Sequence, residues 1–279
     1  MPPPATVTAT FRFYEELNDF LPPARRKREF AVPCARAATA KHMIEALGVP
    51  HTEVEMVLVN GESVGLDRQL RDGDRVAVYP KFEALDITPL LRVRPAPLRT
   101  TRFLADAHLG GLARLLRLAG FDTAYENGLS DAQIETLARE GGRIVLTRDR
   151  ELLKRRGITH GCFVRALTPR EQLHEVIERL DLARSVQPFS RCLSCNAMLA
   201  PVEKSGVLDR LPPDVRAGHD RFTACTGCGR VYWEGSHWRR MRAVLVEVLH
   251  RAQTGRPPRA DDHGDAAAGA APDDRSPAC

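Results

Sequence analysis

The alternation of strand and helix patterns between residues 101 and 181 constrains the fold of this chain more than any other feature. Short runs at 101–105, 122–126, 143–147 and 161–165 predict strands, and a helical pattern follows each run. Strands that alternate with helices through short connections predict a parallel sheet with helices on its faces. Such sheets bind ligands at the carboxyl ends of their strands, so functional residues are expected directly after each run.

Acidic residues stand at these predicted strand ends. Asp106 follows the first run, Glu126 ends the second, Asp131 begins the helix after it, and Asp149 follows the third run. Carboxylates that meet at one edge repel each other unless a cation lies between them, and oxygen ligands suit Mg²⁺ or Mn²⁺. Such a site would support hydrolysis of a phosphodiester bond by water. The alternative is that each Asp only caps a helix, because Asp is favoured at helix N-termini.

Two Cys-x-x-Cys pairs predict a metal site in the second half of the chain. They are formed by Cys192 and Cys195 and by Cys225 and Cys228. Two tight turns that each present two thiolates suit one tetrahedral Zn²⁺ ion. Because thiolates fill all four positions, the zinc is expected to be structural and to hold together a zinc ribbon.

The segment from Arg230 to Arg242 interleaves aromatic side chains with arginines. Trp233 and Trp238 could stack on nucleic-acid bases while the arginines contact phosphates. The alternative is that one of these tryptophans packs in the small core of the ribbon. The formal net charge of +5 permits an anionic partner such as nucleic acid but does not require one.

The first 80 residues predict a separate small domain, because alternating apolar and polar residues at 7–13 begin a strand order β-β-α-β-β. Prolines and arginines at 85–100 predict an extended linker, and the Pro-, Ala-, Asp- and Gly-rich residues 251–279 predict a disordered tail. The predicted units are therefore an α+β domain at 6–84, an α/β domain at 101–184, and a zinc ribbon with a closing helix at 185–250.

The sequence offers no membrane segment. No run of about 18 apolar residues occurs, which is the length that a membrane-spanning helix needs. The first residues, Met-Pro-Pro-Pro-Ala, lack the basic start and apolar stretch of a secretory signal. We therefore expect a cytoplasmic protein without a membrane partner.

The N-terminal domain resembles the ubiquitin-like, β-grasp sulfur carriers. The resemblance lies in residues 57–61, Val-Leu-Val-Asn-Gly, and in residues 70–78, Leu-Arg-Asp-Gly-Asp-Arg-Val-Ala-Val. Sulfur carriers of this family end in Gly-Gly, whose carboxylate reacts, whereas here the last strand continues into Pro80. The resemblance therefore implies a docking module with a protein partner, and sulfur carriage is not expected.

The following segment resembles the Mut7-C ribonuclease family, a branch of the PIN-like nucleases. The resemblance is carried by residues 103–106, 109–122 and 144–149, extends through the cysteine pairs to about residue 245, and includes the ubiquitin-like module in front. It implies a PIN-like α/β fold and maps the acidic motif of the family onto Asp106 and Asp149. Asp131 is the next best match.

PIN-like domains often have four acids, and either Glu126 or Glu135 could be the fourth. Together with the acids at the strand ends, the resemblance implies a metal-dependent ribonuclease, a hydrolase whose zinc ribbon assists RNA binding. Arg148 and Lys154 lie close to the acids and could steady the phosphate. The alternative is a non-catalytic RNA-binding or adaptor protein, in which the acids are caps and the ribbon and the β-grasp module do the binding.

Overall fold

The computed structural model describes residues 6–80 and 101–254, and within these ranges the strands form three sheets. The predicted linker at 85–100 and residues 255–279 of the predicted tail lie outside the described residues. The last helix continues to Thr254, so it extends beyond the predicted start of the tail at 251. No helix of the described ranges is both long enough and apolar enough to cross a membrane.

The elements of the first sheet and its helix are β1 (Thr6–Phe13), β2 (Phe30–Ala35), α1 (Ala40–Ala46), β3 (Met56–Val59), β4 (Glu62–Val64) and β5 (Arg75–Tyr79). The strand order is β2-β1-β5-β3-β4, with β1 and β5 parallel and the other pairs antiparallel. Alternate residues of β1 are buried as the period-2 pattern predicts, and the sheet packs on one helix in a β-grasp arrangement.

Strand β4 is missing from the predicted order β-β-α-β-β. It has only three residues, of which two are polar, so it gives no strand signal of its own. Its pairing with β3 follows from the turn between them, where Asn60 and Gly61 both have positive φ values, 54° and 87°. Two such residues favour a tight hairpin.

The elements of the second sheet and its helices are β6 (Arg102–Ala105), α2 (Gly110–Leu118), β7 (Asp122–Tyr125), α3 (Asp131–Gly141), β8 (Ile144–Thr147), α4 (Arg150–Leu153), β9 (Gly161–Phe163) and α5 (Pro169–Arg179). The sheet is parallel throughout and has the order β7-β6-β8-β9, which confirms the α/β prediction. Successive residues of β6 enter cores on opposite faces: Phe103 packs with α2 and α5, and Leu104 packs with α3 and α4.

The elements of the third sheet and its helices are β10 (Leu199–Val202), α6 (Pro213–Gly218), β11 (Phe222–Cys225), β12 (Val231–Trp233) and α7 (Ser236–Thr254). The sheet is antiparallel with the order β10-β11-β12; one cysteine pair precedes β10, and the other begins at the end of β11. Helix α7 packs back on the second sheet, because Leu245 and Val248 are buried in the same core as α2 and α5.

The β-grasp unit packs against the edge strand β9 of the second sheet. The Phe163 N–H donates to Glu53 Oε1 (2.5 Å), and the Phe163 carbonyl accepts a hydrogen bond from Arg179 Nη1 (3.0 Å). Arg179 Nη2 also donates to Glu53 Oε2 (2.5 Å), and the Glu53 side chain is fully buried. Beside this pair, the rings of Phe20 and Phe163 meet edge to face at 5.4 Å.

Replacement of Glu53 by alanine should therefore destabilise the chain strongly. The change leaves the Arg179 guanidinium and the Phe163 amide without their carboxylate, and removal of one partner from a buried ion pair costs about 3–5 kcal/mol. Urea denaturation of Glu53→Ala and of the exposed control Glu62→Ala measures the free energies of unfolding. Equal stabilities of the two variants would contradict the assigned role of Glu53.

Candidate active site and zinc centre

The segments that carry two of the predicted acids, Asp106 and Asp149, lie side by side at the carboxyl edge of the parallel sheet. The pairing of β6 with β8 places Ala105 opposite Leu146, so the next residues of both strands lie side by side. The hydroxyl of Thr147 donates to Asp106 Oδ2 (2.7 Å) and accepts a hydrogen bond from the backbone N–H of Asp149 (3.0 Å). The fully buried Thr147 therefore links the two acidic segments.

Both acids are also helix caps, as the alternative interpretation predicts. Asp106 Oδ1 accepts from the N–H of Ala107 (2.6 Å), and Asp149 Oδ1 accepts from the N–H of Glu151 (2.8 Å). A carboxylate has about four lone-pair sites, so a capping bond leaves further sites for a ligand. Capping and ligand binding are therefore compatible at these two residues.

The other three candidate acids, Asp131, Glu135 and Glu126, have surroundings unlike those of Asp106 and Asp149. Asp131, exposed at the first position of α3, has Oδ2 4.0 Å from Arg155 Nη1. Glu135 accepts bonds from Arg155 Nε (2.6 Å) and from the N–H of Gly157 (2.7 Å), and the bond from Arg155 is the main cause that lowers the pKa of this carboxyl group. Glu126 is exposed after β7. In the described ranges, no three carboxylates converge closely enough to bind one ion together.

The predicted phosphate-contacting cations also differ from each other. Arg148 is exposed between Thr147 and Asp149, next to the acids. Lys154 forms an ion pair with Glu151 (2.7 Å), so part of its charge is already balanced.

The four predicted zinc ligands do come together. The sulfur atoms of Cys192, Cys195, Cys225 and Cys228 all lie within 4.8 Å of one another. Two of the separations are 3.7 Å, from Cys192 to Cys228, and 3.3 Å, from Cys195 to Cys225. Zn–S bonds of about 2.3 Å in a tetrahedron place the sulfurs roughly 3.8 Å apart. The cluster therefore fits one zinc ion.

The first cysteine turn is fixed to the edge strand β7. Arg117 of α2 donates from Nη1 to the carbonyls of Leu193 (3.1 Å) and Ser194 (2.8 Å), and from Nε to the carbonyl of Thr123 (2.9 Å). Asn196 completes this contact, because its Oδ1 accepts from the N–H of Thr123 (3.0 Å). The ribbon and the second sheet are therefore held together by side chains that bond to backbone groups.

A groove of about 1470 Å³ lies between α2 and the ribbon. It begins beside the acidic edge, since its lining residue Tyr125 donates its hydroxyl to the carbonyl of Ala107 (2.9 Å), next to Asp106. A Cβ atom at Gly110 would lie 2.6 Å from that hydroxyl, so a larger residue there would displace the Tyr125 ring. The groove is lined by several arginines and aromatic residues, among them Arg114, Arg191, Arg230, Arg240, Phe189, Tyr232, Trp233 and Trp238.

The two tryptophans have different environments. Trp233 packs against the small core of the ribbon, as one alternative predicts. Trp238 stacks on Phe189, with ring centroids 4.7 Å apart and planes at 24°. Both also line the groove.

Two known families match the chain, one in its N-terminal domain and one in the residues that follow. Residues 101–245, slightly more than half of the 279 residues, match the family described as the Mut7-C RNAse domain. The chain belongs to the Mut7-C RNAse domain family. Residues 6–86 match the family described as Mut7-C ubiquitin, so the β-grasp unit is the ubiquitin-like domain in front of the Mut7-C domain.

Two of the solved structures that resemble the chain each cover just over a quarter of it. The crystal structure of H. volcanii small archaeal modifier protein 1 is 22% identical and covers 27% of this chain and 99% of its own, with a TM-score of 0.23. That of SAMP1 from Haloferax volcanii is 21% identical and covers 28% of this chain and 99% of its own, also with a TM-score of 0.23. No curated protein matches the Mut7-C chain.

Loss of one sulfur ligand should release the zinc from this Mut7-C protein. Elemental analysis of the purified wild type is expected to give about one zinc ion per chain, because four thiolates form one closed site. Cys225→Ala should lose most of this zinc, whereas Cys34→Ala, which removes a buried thiol far from the cluster in sequence, should keep it. Full zinc occupancy of Cys225→Ala would contradict the four-cysteine site.

Proposed function

We propose that this Mut7-C chain is a metal-dependent ribonuclease, which hydrolyses phosphodiester bonds of RNA at the edge that carries Asp106 and Asp149. The observation that supports this proposal most is the Thr147 hydroxyl, which links the two acidic segments across adjacent strands. An aspartate that only caps a helix does not need a hydrogen-bonded link to the next acidic segment. The family of the chain favours RNA as the substrate. A cytoplasmic location is part of the proposal.

The donor atoms suit Mg²⁺ or Mn²⁺. Mg²⁺ commonly uses one or two carboxylates and completes its coordination with waters and substrate phosphates, so a set of two aspartates is sufficient. Such an ion, when bound, offsets phosphate charge and makes water more acidic. Asp106 and Asp149 would hold it, with Asp131 as a third acid after turning away from Arg155. Since Glu135 is held by Arg155 and Gly157, Glu126 is the better fourth acid.

The groove supports binding of a single RNA strand. Aromatic faces stack on bases without strong sequence preference, and arginines attract the phosphates. The groove opens at Tyr125, next to the Asp106 segment. The phosphate backbone of an RNA strand bound in the groove would therefore reach the acids. Arg148 would then contact the phosphate beside Asp149. The zinc ribbon shapes this groove and takes no part in the chemistry.

A second candidate function is a non-catalytic RNA-binding or adaptor protein. It is favoured by the capping bonds of Asp106 and Asp149 and by the groove, which would bind RNA without any reaction. In both candidates the ubiquitin-like domain can dock a protein partner. Cleavage of RNA separates the two.

Cleavage of a labelled single-stranded RNA in the presence of Mn²⁺ tests the proposal. Asp106→Asn and Asp149→Asn should each lower the cleavage rate at least about a hundredfold, because loss of a metal ligand removes several kcal/mol of charge stabilisation. Asp214→Asn, a change of the same kind at an exposed position of α6, should leave the rate unchanged. If the wild type binds RNA but never cuts it, the adaptor function is correct. Equal cutting by all three variants would show that these acids are not catalytic.

Replacement of Thr147 by valine tests the link between the acids. Valine keeps the shape but removes the hydroxyl, so the cleavage rate should fall about 10–100-fold, as for other groups that orient metal ligands. Thr123→Val is the matched control, because Thr123 is also fully buried and its hydroxyl donates only to Phe121. Both variants should lose about 1–3 kcal/mol of stability. Equal rates for the two variants would contradict a role for the Thr147 hydroxyl.

A further inference from the structure

We propose that the basic loop of the ubiquitin-like domain, residues 22–29, is a second contact surface for the same single-stranded RNA. This inference rests on the proposed function. The loop contains four consecutive cations, Arg25, Arg26, Lys27 and Arg28, and all of them are exposed. The one acid of the loop, Glu29, is engaged by Arg75 at 2.8 Å, so the four cations dominate the charge of this surface.

The backbone of the basic loop is held in place. Arg26 Nε donates to the carbonyl of Leu21 (2.8 Å), and the N–H of Lys27 donates to Asn18 Oδ1 (2.6 Å). The buried Asn18 is itself fixed, because its Nδ2 donates to the carbonyl of Phe13 (2.9 Å). The loop is therefore braced against the 3₁₀ helix that contains Asn18, and it would lose little conformational freedom on binding.

The same 3₁₀ helix, Glu15–Phe20, contacts the acidic edge of the Mut7-C domain. Arg150 directly follows Asp149, and its Nη1 donates to the carbonyl of Phe20 (3.5 Å). The guanidinium of Arg150 also lies 5.0 Å from the ring centroid of Phe20. The basic loop thus begins two residues after the helix that touches the neighbour of a proposed catalytic acid.

The basic loop and the groove approach the acids from opposite edges of the sheet. In the strand order β7-β6-β8-β9, Asp106 and Asp149 follow the two central strands. The groove lies on the β7 side, at Tyr125, and the ubiquitin-like domain packs on the β9 side, at Phe163. An RNA strand that is bound in the groove, passes the acids and continues beyond them therefore runs toward the basic loop.

The acids of the 3₁₀ helix do not cancel this charge. Asp19 lies 3.5 Å from Arg165, which draws it toward the interface, and Glu15 and Glu16 are the other two acids of the helix. These three acids are outnumbered by the four cations of the loop together with Arg150. Such a surface attracts phosphates. For single-stranded nucleic acid, each neutralised phosphate steepens the fall of the logarithm of the binding constant with the logarithm of salt concentration by about 0.7.

Binding of RNA to two charge-reversal variants tests the inference. The full-length, zinc-loaded chain is titrated into a fluorescent RNA of about 30 nucleotides and into one of about 8 nucleotides, a length that a single groove can hold. The buffer contains no Mg²⁺ or Mn²⁺, so binding is measured without cleavage. Arg25→Glu with Arg28→Glu is compared with the control Arg36→Glu with Arg71→Glu. The control arginines are exposed and lie toward the other end of β1, near Thr6 and Thr8.

The loop variant should bind the long RNA about tenfold more weakly than the wild type, with a smaller salt slope. Its affinity for the short RNA, and the affinities of the control for both RNAs, should stay within about twofold. Equal losses in both variants, or no loss in the loop variant, would overturn the inference. Competition by an acidic peptide as strong as that by RNA would overturn it too, since the loop would then be a protein-binding surface.

These outcomes are independent of the cleavage assay. If the wild type binds RNA through the loop but never cuts it, the proposed ribonuclease fails and the inference stands. If the wild type cuts RNA and the loop variant binds the long RNA normally, the inference fails and the ribonuclease stands.

Discussion

The parallel pairing of β6 with β8 is the constraint on which the candidate active site depends. Residues 106 and 149 are far apart in the chain, and the register that sets Ala105 opposite Leu146 places their segments at one edge. The hydroxyl of Thr147 then joins these segments by two hydrogen bonds inside a buried position. Burial of both faces of the sheet by helices fixes this register, since a shift by one residue would reverse every side chain of a strand.

At both edge strands of this sheet, side chains from elsewhere in the chain bond to backbone groups. On β9, side chains from the ubiquitin-like domain and from α5 bond to the N–H and the carbonyl of Phe163. On β7, Asn196 of the ribbon and Arg117 of α2 bond to the N–H and the carbonyl of Thr123. Open strand edges invite pairing with other chains, so these contacts protect the sheet. They also place one additional unit on either side of the acids, so in the proposed function a bound RNA strand would have contacts beyond the site.

Features that depend on local pattern were predictable from the sequence. The strand and helix alternation predicts the parallel sheet, and the two Cys-x-x-Cys turns meet as their chemistry requires. The positions of Asp106 and Asp149 at strand ends follow from the same periodicity.

Features that depend on long-range contacts were not predictable from one sequence. Glu53 lies beside an apolar strand pattern, and its burial depends on Arg179, which is 126 residues away in the chain. Thr147 gave a weak signal only, as a polar residue that ends a buried strand. The side chain of Asp131 lies near Arg155, a contact set by the turn after α4 and not by the position of Asp131 on its own helix.

A crystal structure of the protein grown with Mn²⁺ tests the central claim most directly. Data collected on both sides of the manganese absorption edge distinguish this ion from zinc. We expect an anomalous peak bonded to carboxylate oxygens of both Asp106 and Asp149, at roughly 2–2.5 Å. A structure in which manganese binds elsewhere, or in which only one of these carboxylates reaches it, would contradict the account.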